Sequence, residues 1–345
     1  MTPVLRVVDL VKHFKVGGQT GRALTVHAVD GVSFEIGERE IFGLVGESGS
    51  GKTTVAQCVA RLYEPTSGSI ELDGVDITHM SQRALRPLRR TMHTVFQNPY
   101  SSLNPRMTCE QIIKEPLDSH RVARGTESRR MVVETADRVG LRAALLERYP
   151  HELSGGQRQR VGLARSLVLK PRLLIADEPV SALDVSIQAS ILNLLKDLQD
   201  DMGFSCLFIS HDLATVEFLC ERVAVMYLGQ IVESANRQTL FSHAEHPYTR
   251  ALLDAVLVPD PEARRTRDRS HLHGEIPSPT DPPIGCRFRT RCPLSEESAP
   301  RSLEEEPQLR ELTPGHAVAC HLAGAHGGQR HTASAGAAGG AGNTG

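Results

Sequence analysis

The chain has 345 residues, of which 40% are hydrophobic and 23% charged, a balance typical of a folded globular protein. Its formal net charge of −2 excludes a globally basic surface of the kind that binds nucleic acid or anionic lipid. The N-terminal segment lacks the apolar block of a signal peptide, and no run of about 18 uncharged apolar residues predicts a membrane span.

The first part of the chain is rich in short β-like segments. Strands are predicted at 4–8, 28–36 and 41–45, and the last of these is a compact apolar run typical of a buried parallel strand. A helix is predicted over 52–62. The charged and periodic residues of 82–150 predict a helical insertion.

The second part alternates helices with strands. Helices are predicted at 154–169 and 187–202, and strands at 173–176 and 206–209, which indicates a parallel α/β sheet with right-handed crossovers. Prolines become frequent from Pro259 onward and predict a linker into a small, irregular C-terminal module. The Gly/Ala/Ser-rich stretch 326–345 predicts a disordered tail.

The segment from Gly46 to Thr53 reads GESGSGKT and follows the predicted strand at 41–45. It fits the phosphate-loop pattern G-x-x-x-x-G-K-[ST] and opens a helix, which is the context that this pattern requires. The glycines let the backbone wrap around phosphate oxygens, and free N–H groups at the helix start hold the anion. We expect Lys52 to reach the β- and γ-phosphates of a nucleotide and the Thr53 hydroxyl to bind Mg²⁺.

Two acids, Asp177 and Glu178, follow the apolar run at 173–176. Ligands of an α/β sheet sit at the carboxyl ends of its strands. We expect Asp177 to hold Mg²⁺, directly or through water, and Glu178 to polarise the attacking water. Taken alone, the two acids fit a helix N-terminus equally well, and the phosphate loop favours the metal-and-water interpretation.

The segment LSGGQ at 153–157 precedes these acids. Ser154 is a suitable helix N-cap, and the two glycines after it expose backbone N–H groups, so a second anion-binding helix terminus is predicted. The segment matches the signature of ABC ATPases, and the chain resembles that family. The resemblance implies that the signature of one subunit binds the γ-phosphate of ATP on the opposite subunit, so that two ATP molecules lie at a dimer interface.

Further segments match the family in its own order. Gln97 resembles the Q-loop residue, which touches Mg²⁺ and the attacking water and senses the membrane partner. Asp184 lies in the matching D-loop, and His211 matches the switch histidine that contacts the γ-phosphate. Phe14 stands where the family stacks an aromatic ring on adenine.

The site residues that the resemblance implies form four sets. The catalytic set is Glu178, His211 and Gln97. The Mg²⁺ ligands are Thr53, Gln97 and Asp177. The ATP-binding set is Phe14, Gly46, Glu47, Ser48, Gly49, Ser50, Gly51, Lys52, Thr53 and Thr54. The set that contacts ATP in trans is Ser154, Gly155, Gly156, Gln157 and Asp184.

The resemblance also implies a fold and its divisions. The expected fold is α/β: a P-loop NTPase core of ABC type with an antiparallel β subdomain, a helical signature subdomain and a small irregular C-terminal module. The expected nucleotide-binding domain is 1–257, with its helical subdomain at about 98–170, and the C-terminal module is 258–325. We expect 98–150 to receive the coupling helices of permeases, and the alternative is an insertion that packs on itself.

Five stretches resemble the oligopeptide and dipeptide importer ATPases, namely 102–108, 149–153, 179–186, 246–252 and 285–293. The resemblance implies a peripheral subunit on the cytoplasmic face of the membrane that drives peptide import. Its implied partners are two permeases, a similar but non-identical ATPase and, indirectly, an extracytoplasmic solute-binding protein. Import of nickel or another small solute is the alternative.

Seven cysteines and no export signal favour a reducing compartment. Cys286, Cys292 and Cys320 match three of the four cysteines that hold an iron–sulfur cluster in some family members, and Ala299 stands where the fourth is expected. An iron–sulfur cluster, a Cys₃His zinc site with His316 or His321, and no metal at all remain open alternatives.

The sequence disfavours two other classes of function. Soluble ABC proteins that act on ribosomes or DNA generally carry two cassettes and basic arms, whereas this chain has one cassette and no basic field, so no nucleic-acid partner is expected. A nucleotide-sensing scaffold without hydrolysis is disfavoured because Glu178 and His211 are both present.

Overall fold

The computed structural model describes residues 2–17, 23–97, 102–256 and 274–324. The predicted tail at 326–345 lies outside these ranges, as does most of the predicted linker after Pro259.

A four-stranded antiparallel sheet forms the N-terminal layer. Its spatial order is β2-β1-β4-β5, and it corresponds to the expected antiparallel β subdomain. The first two strands are longer than predicted, because they pair with each other beyond their apolar segments. The four strands are β1 (Leu5–Gly17), β2 (Ala23–Ile36), β4 (Ser67–Leu72) and β5 (Val75–Asp76).

The central sheet has eight strands in the order β11-β12-β10-β9-β3-β8-β7-β6. The segment from β9 to β6 is parallel, as predicted, whereas the pairs β9–β10, β10–β12 and β12–β11 are antiparallel. The strands are β3 (Ile41–Val45), β6 (Met92–Val95), β7 (Leu173–Asp177), β8 (Ser205–Ser210), β9 (Arg222–Tyr227), β10 (Gln230–Asn236), β11 (Arg310–Thr313) and β12 (His316–Val318).

The helices cover both faces of the sheet, and the α/β fold class is confirmed. They are α1 (Lys52–Val59), α2 (Gln82–Leu85), α3 (Cys109–His120), α4 (Gly125–Arg138), α5 (Gly155–Leu167), α6 (Val185–Met202), α7 (Leu213–Leu219), α8 (Arg237–His243), α9 (Pro247–Val256), α10 (Ser295–Ser298) and α11 (Arg301–Glu304). None of the helices in the described ranges has the length and apolar character needed to cross a membrane.

The prediction of a helical insertion over all of 82–150 is wrong at one point. Residues Met92–Val95 form β6, which pairs in parallel with β7 at the edge of the central sheet. Met92 and Val95 are buried while the two residues between them are half-buried. The helical part of the insertion is α2, α3 and α4, of which α3 and α4 pack against α5.

Strand β3 lies at the centre and divides two hydrophobic cores. Phe42 and Leu44 face the core beneath the antiparallel sheet and α1. Ile41 and Val45 face the other core, which the helices α3 to α7 cover. Because successive side chains of a strand point to opposite faces, a fully apolar strand is needed here. The phosphate loop therefore starts from the end of a fully buried strand.

The C-terminal module is more regular than predicted. Its hairpin, β11 and β12, adds to the central sheet through β10. Beneath this junction Glu233 is fully buried and accepts hydrogen bonds from Glu245 N at 2.8 Å and His246 N at 3.0 Å, and its Oε1 lies 2.8 Å from His316 Nε2. The module is thus joined to the sheet by backbone ladders and by a buried polar cluster.

We expect Glu233→Ala to destabilise the protein by roughly 3 kcal/mol or more, because three donors would be left buried without an acceptor. Glu233→Gln keeps one carbonyl oxygen and should cost less. The melting temperature by calorimetry measures both effects. The control is Glu134→Ala, which removes an exposed i,i+4 ion pair with Arg130 and should change stability little. A Glu233→Ala protein as stable as this control would contradict the assignment.

Candidate nucleotide site

The phosphate loop connects β3 to α1. Gly51, the N-cap of α1, has φ +105°, and a Cβ there would lie 2.2 Å from Ala28 O. Only glycine fits this position, because the left-handed backbone and the contact with β2 both exclude a side chain. The backbone is thereby bent, and Ser48, Gly49, Gly51 and Lys52 of this segment line one cavity.

Lys52 is buried within this loop. Its Nζ donates to Gly46 O at 2.7 Å and to Glu47 O at 2.9 Å. Burial lowers the pKa of Lys52, and the nearby carboxylates of Glu178, Asp177 and Glu47 oppose that shift. The amine also donates to Ser50 Oγ at 3.4 Å, so its hydrogen bonds all go to neutral oxygens, and a phosphate group would supply an anionic partner.

Thr53 and Asp177 contact each other beside the phosphate loop. Thr53 Oγ1 donates to Asp177 Oδ1 at 3.2 Å. Burial raises the pKa of Asp177, the Thr53 hydrogen bond opposes that rise, and Glu178 adds to it. A hydroxyl and a carboxylate are oxygen ligands of the kind that Mg²⁺ takes, and a divalent cation would also offset the cost of burying the charge. The residues therefore fit the expected metal.

Glu178 brings together the other predicted catalytic residues. Its Oε2 accepts a hydrogen bond from Gln97 Nε2 at 2.8 Å, and its Oε1 lies 3.2 Å from His211 Nδ1. The backbone of Glu178 is left-handed at φ +46°, and its N–H donates to Ile209 O of β8. Left-handed backbone costs free energy for a non-glycine residue, and here the β7–β8 pairing holds it in place.

A cavity of about 360 Å³ lies above these groups. Phe14 is not among the lining residues, since its ring packs edge-on against Tyr63 with centroids 5.2 Å apart, and its contact with adenine stays a prediction. The other residues of the predicted catalytic, metal-binding and ATP-binding sets that do not line it are Gly46, Glu47, Ser50, Asp177 and His211. The predicted residues that line the cavity are Ser48, Gly49, Gly51, Lys52, Thr53, Thr54, Gln97 and Glu178.

The signature segment lies elsewhere on the chain and does not line this cavity. Ser154 caps α5: its Oγ accepts from Gln157 N at 3.3 Å, and Gln157 Oε1 accepts from Ser154 N at 3.0 Å. A Cβ on Gly156 would lie 2.8 Å from Ile187 of α6. Asp184 is the exposed N-cap residue of α6. The helix terminus is formed, and its contact with ATP in trans stays a prediction.

Sequence reasoning missed three residues at this site, two of which, Arg291 and Pro279, come from beyond the cassette. Arg291 pairs with Glu47 through two hydrogen bonds, the Tyr248 hydroxyl accepts from Glu47 N at 2.9 Å, and Pro279 lines the cavity. One signal was available: the segment 284–293 holds three arginines and no acid, so their partner carboxylates had to come from elsewhere.

The three C-terminal cysteines line one small apolar pocket together with Ser302, whose buried hydroxyl has no hydrogen-bond partner. Ala299 is exposed, and among the described residues no fourth cysteine lines the pocket.

The three sulfur atoms do not all lie within 4.8 Å of one another, as ligands of one zinc ion must. His316 is taken by Glu233 and His321 Nε2 lies 3.0 Å from Glu305 O, so the Cys₃His zinc hypothesis is not supported. The thiols are one short of the usual set for a [4Fe–4S] cluster.

His13, His27 and Asp30 form a compact group whose ligand atoms lie within 4.8 Å of one another. Asp30 is already neutralised by a direct ion pair with Arg287. Burial alone would raise the pKa of Asp30, but Arg287 and His13 hold it below its usual value. The group therefore forms polar contacts that connect β1 and β2 with the C-terminal module.

Two family profiles match the chain. One, described as ABC transporter, matches residues 29–181, and the other, described as the C-terminal region of oligopeptide/dipeptide transporters, matches 232–298.

Relatives and solved structures agree with these profiles. A Brucella ovis protein, provisionally named a peptide import ATP-binding protein, is 50% identical over 319 residues, covering 92% of this chain and 98% of its own. The oligopeptide transport ATP-binding protein AppF of Bacillus subtilis is 48% identical over 322 residues, covering 92% and 97%. A dimeric ATP-binding cassette, MJ0796, bound to ADP and Pi is 29% identical with a TM-score of 0.61, covering 68% of this chain and 98% of its own.

Proposed function

Because the chain belongs to the ABC transporter family, in its branch of peptide-import ATP-binding proteins, we propose that it hydrolyses ATP to drive import of peptides through membrane permeases. The observation that carries this proposal is the arrangement around Glu178. The carboxylate contacts both Gln97 and His211, and the Thr53–Asp177 pair stands beside the same phosphate loop.

The chemistry follows from these positions. Lys52 and the loop N–H groups bind the phosphates. Thr53, Asp177 and Gln97 would hold Mg²⁺, which would supply neutralisation of the phosphate charge. Glu178 accepts the proton of the attacking water, because its carboxylate lines the cavity. Gln97 and His211 hold the two carboxylate oxygens and thereby orient it. His211 then contacts the γ-phosphate.

Hydrolysis needs a second subunit in this proposal. Ser154, Gly155, Gly156 and Gln157 of one subunit and its Asp184 complete the site of the other. The dimeric cassette with ADP and Pi supports this arrangement, since it is a solved structure to which the chain is similar. ATP binds the closed dimer better than the open one, so binding and hydrolysis shift the population between the two.

The chain works at the cytoplasmic face of the membrane as a peripheral subunit. Its cassette comprises 1–257, with the helical subdomain at about 98–170, and 258–325 forms the C-terminal module. The subdomain receives two permeases, and a sibling ATPase completes a heterodimer. Relatives named for peptide and oligopeptide transport support peptides over nickel as the solute.

The test is a pull-down of tagged Glu178→Gln protein from detergent-solubilised membranes with ATP and Mg²⁺, read by mass spectrometry. We expect two permeases and a sibling ATPase, and the solute-binding protein that belongs to them is then screened with peptides and with Ni²⁺. The Lys52→Ala protein is the control for nucleotide-dependent assembly. Recovery of ribosomal or DNA-repair proteins without permeases would overturn the transport proposal.

A further inference from the structure

The phosphate loop is held from outside the cassette, by the C-terminal module. Arg291 Nη1 donates to Glu47 Oε2 at 2.7 Å, and Nη2 donates to Glu47 Oε1 at 3.1 Å. The Arg291 side chain is 6% exposed. Glu47 is the first variable residue of the loop, so this bidentate pair joins two segments that lie 244 residues apart.

Glu47 is fixed at both its side chain and its backbone. Its N–H donates to the hydroxyl of Tyr248, a fully buried residue of α9, and its carbonyl accepts from Lys52 Nζ at 2.9 Å. The hydrogen bonds to Glu47 raise the pKa of Arg291 against the effect of burial, so the guanidinium stays charged. One continuous set of polar contacts thus runs from Arg291 through Glu47 to Lys52.

Aromatic packing fixes the position of the segment that carries Arg291. Phe288, three residues earlier, packs against Tyr227 and Tyr248 with ring centroids 5.2 and 5.5 Å away. The Arg291 guanidinium lies 5.8 Å from the Tyr227 ring centroid. A second contact places the module at the same cavity, since Pro279 lines it and Pro279 O accepts from His27 N at 2.9 Å.

We propose that Arg291 is a positioning residue for ATP binding, which acts through Glu47 to hold the phosphate loop in its anion-binding conformation. Bidentate arginine–carboxylate pairs fix the relative orientation of the two side chains as well as stabilise their contact. ATP binding to a preformed loop does not have to offset the entropy loss of ordering that loop. This inference rests on the proposed function, because it assumes that the cavity binds ATP.

The experiment compares Arg291→Gln, Glu47→Gln and the double variant in the full chain. We expect Arg291→Gln to raise the Kd for ATP and the KM about tenfold while kcat at saturating ATP stays within about twofold, because the loop binds substrate and transition state alike. The double variant should bind ATP no more weakly than Arg291→Gln alone, since both changes break one contact. Arg291→Lys keeps the charge but cannot form the bidentate pair, so its Kd for ATP should lie between those of the unaltered chain and Arg291→Gln.

The matched control is His316→Ala, which removes a buried contact of the module with Glu233 of β10 rather than with Glu47. It should lower the melting temperature but leave the Kd for ATP within about twofold. An equal loss of ATP affinity in this control, or additive losses in the double variant, would show that Arg291 only attaches the module and would overturn the inference. Absence of ATP turnover in the unaltered chain would instead overturn the proposed function.

Discussion

Replacing Glu178 by Gln should reduce ATP turnover by about 10²–10⁴-fold, the range that a general base contributes. The substitution keeps the size of the side chain, so the contacts with Gln97 and His211 are disturbed little, but the amide does not take up the proton of the attacking water. ATP binding should persist, because Glu178 does not hold the phosphates. The measurement is phosphate release at saturating ATP, together with the Kd for ATP by fluorescence titration.

Glu134→Gln is the control for this change, since it removes a carboxylate from an exposed ion pair on α4. It should hydrolyse ATP at the unaltered rate. A Glu178→Gln protein that kept more than about a tenth of the turnover would remove Glu178 from the role of general base. Another group around the cavity would then have to accept the proton of the attacking water.

Lys52→Ala should abolish the stabilisation that ATP gives to the protein. A ligand stabilises the folded state by RT ln(1 + [L]/Kd), so about 2.7 kcal/mol at a concentration of 100 Kd should vanish when the amine that binds the phosphates is lost. Stability without ATP should change little, because the substitution frees two loop carbonyls but also removes a buried charge. Thermal unfolding with and without ATP and Mg²⁺ measures both quantities.

The control here is Lys114→Ala, which removes an amine from an i,i+4 pair with Asp118 on α3. Its melting temperature should still rise on addition of ATP. ATP-dependent transport by a complex that carries Lys52→Ala would refute the proposed mechanism. The two predictions separate binding from hydrolysis, because the Lys52 variant should lose the first and the Glu178 variant only the second.

Local patterns predicted the elements whose residues determine their own structure. Strand β3 and helix α5 were found because an apolar run and a capped periodic segment need no distant partner to be recognised. Strand β6 was missed, since four residues among basic ones become a strand only by pairing with β7. The hairpin of β11 and β12 was missed for the same reason, because strands of only four and three residues depend on pairing with the edge of β10.

The residues of the site also differ in whether local sequence or a distant contact determines their position. The spacing of the phosphate loop and of Asp177 predicted residues that the fold does bring together, as the hydrogen bond from Thr53 to Asp177 illustrates. The pair of Glu47 and Arg291 was beyond prediction, because no pattern in either segment specifies the other and the contact depends on how the C-terminal module packs. Sequence patterns therefore predict the chemical groups better than the contacts that hold them in place.

The antiparallel addition of β12 to β10 has a consequence for how the protein tolerates shortening. A chain cut after α9 would keep the whole cassette, yet it would turn β10 into an open edge with unpaired N–H and C=O groups on one side. Open edges pair with strands of other molecules, and the apolar residues Val232 and Ala235 would favour such association at this edge. We therefore expect the shortened cassette to aggregate, although each of its catalytic residues is present.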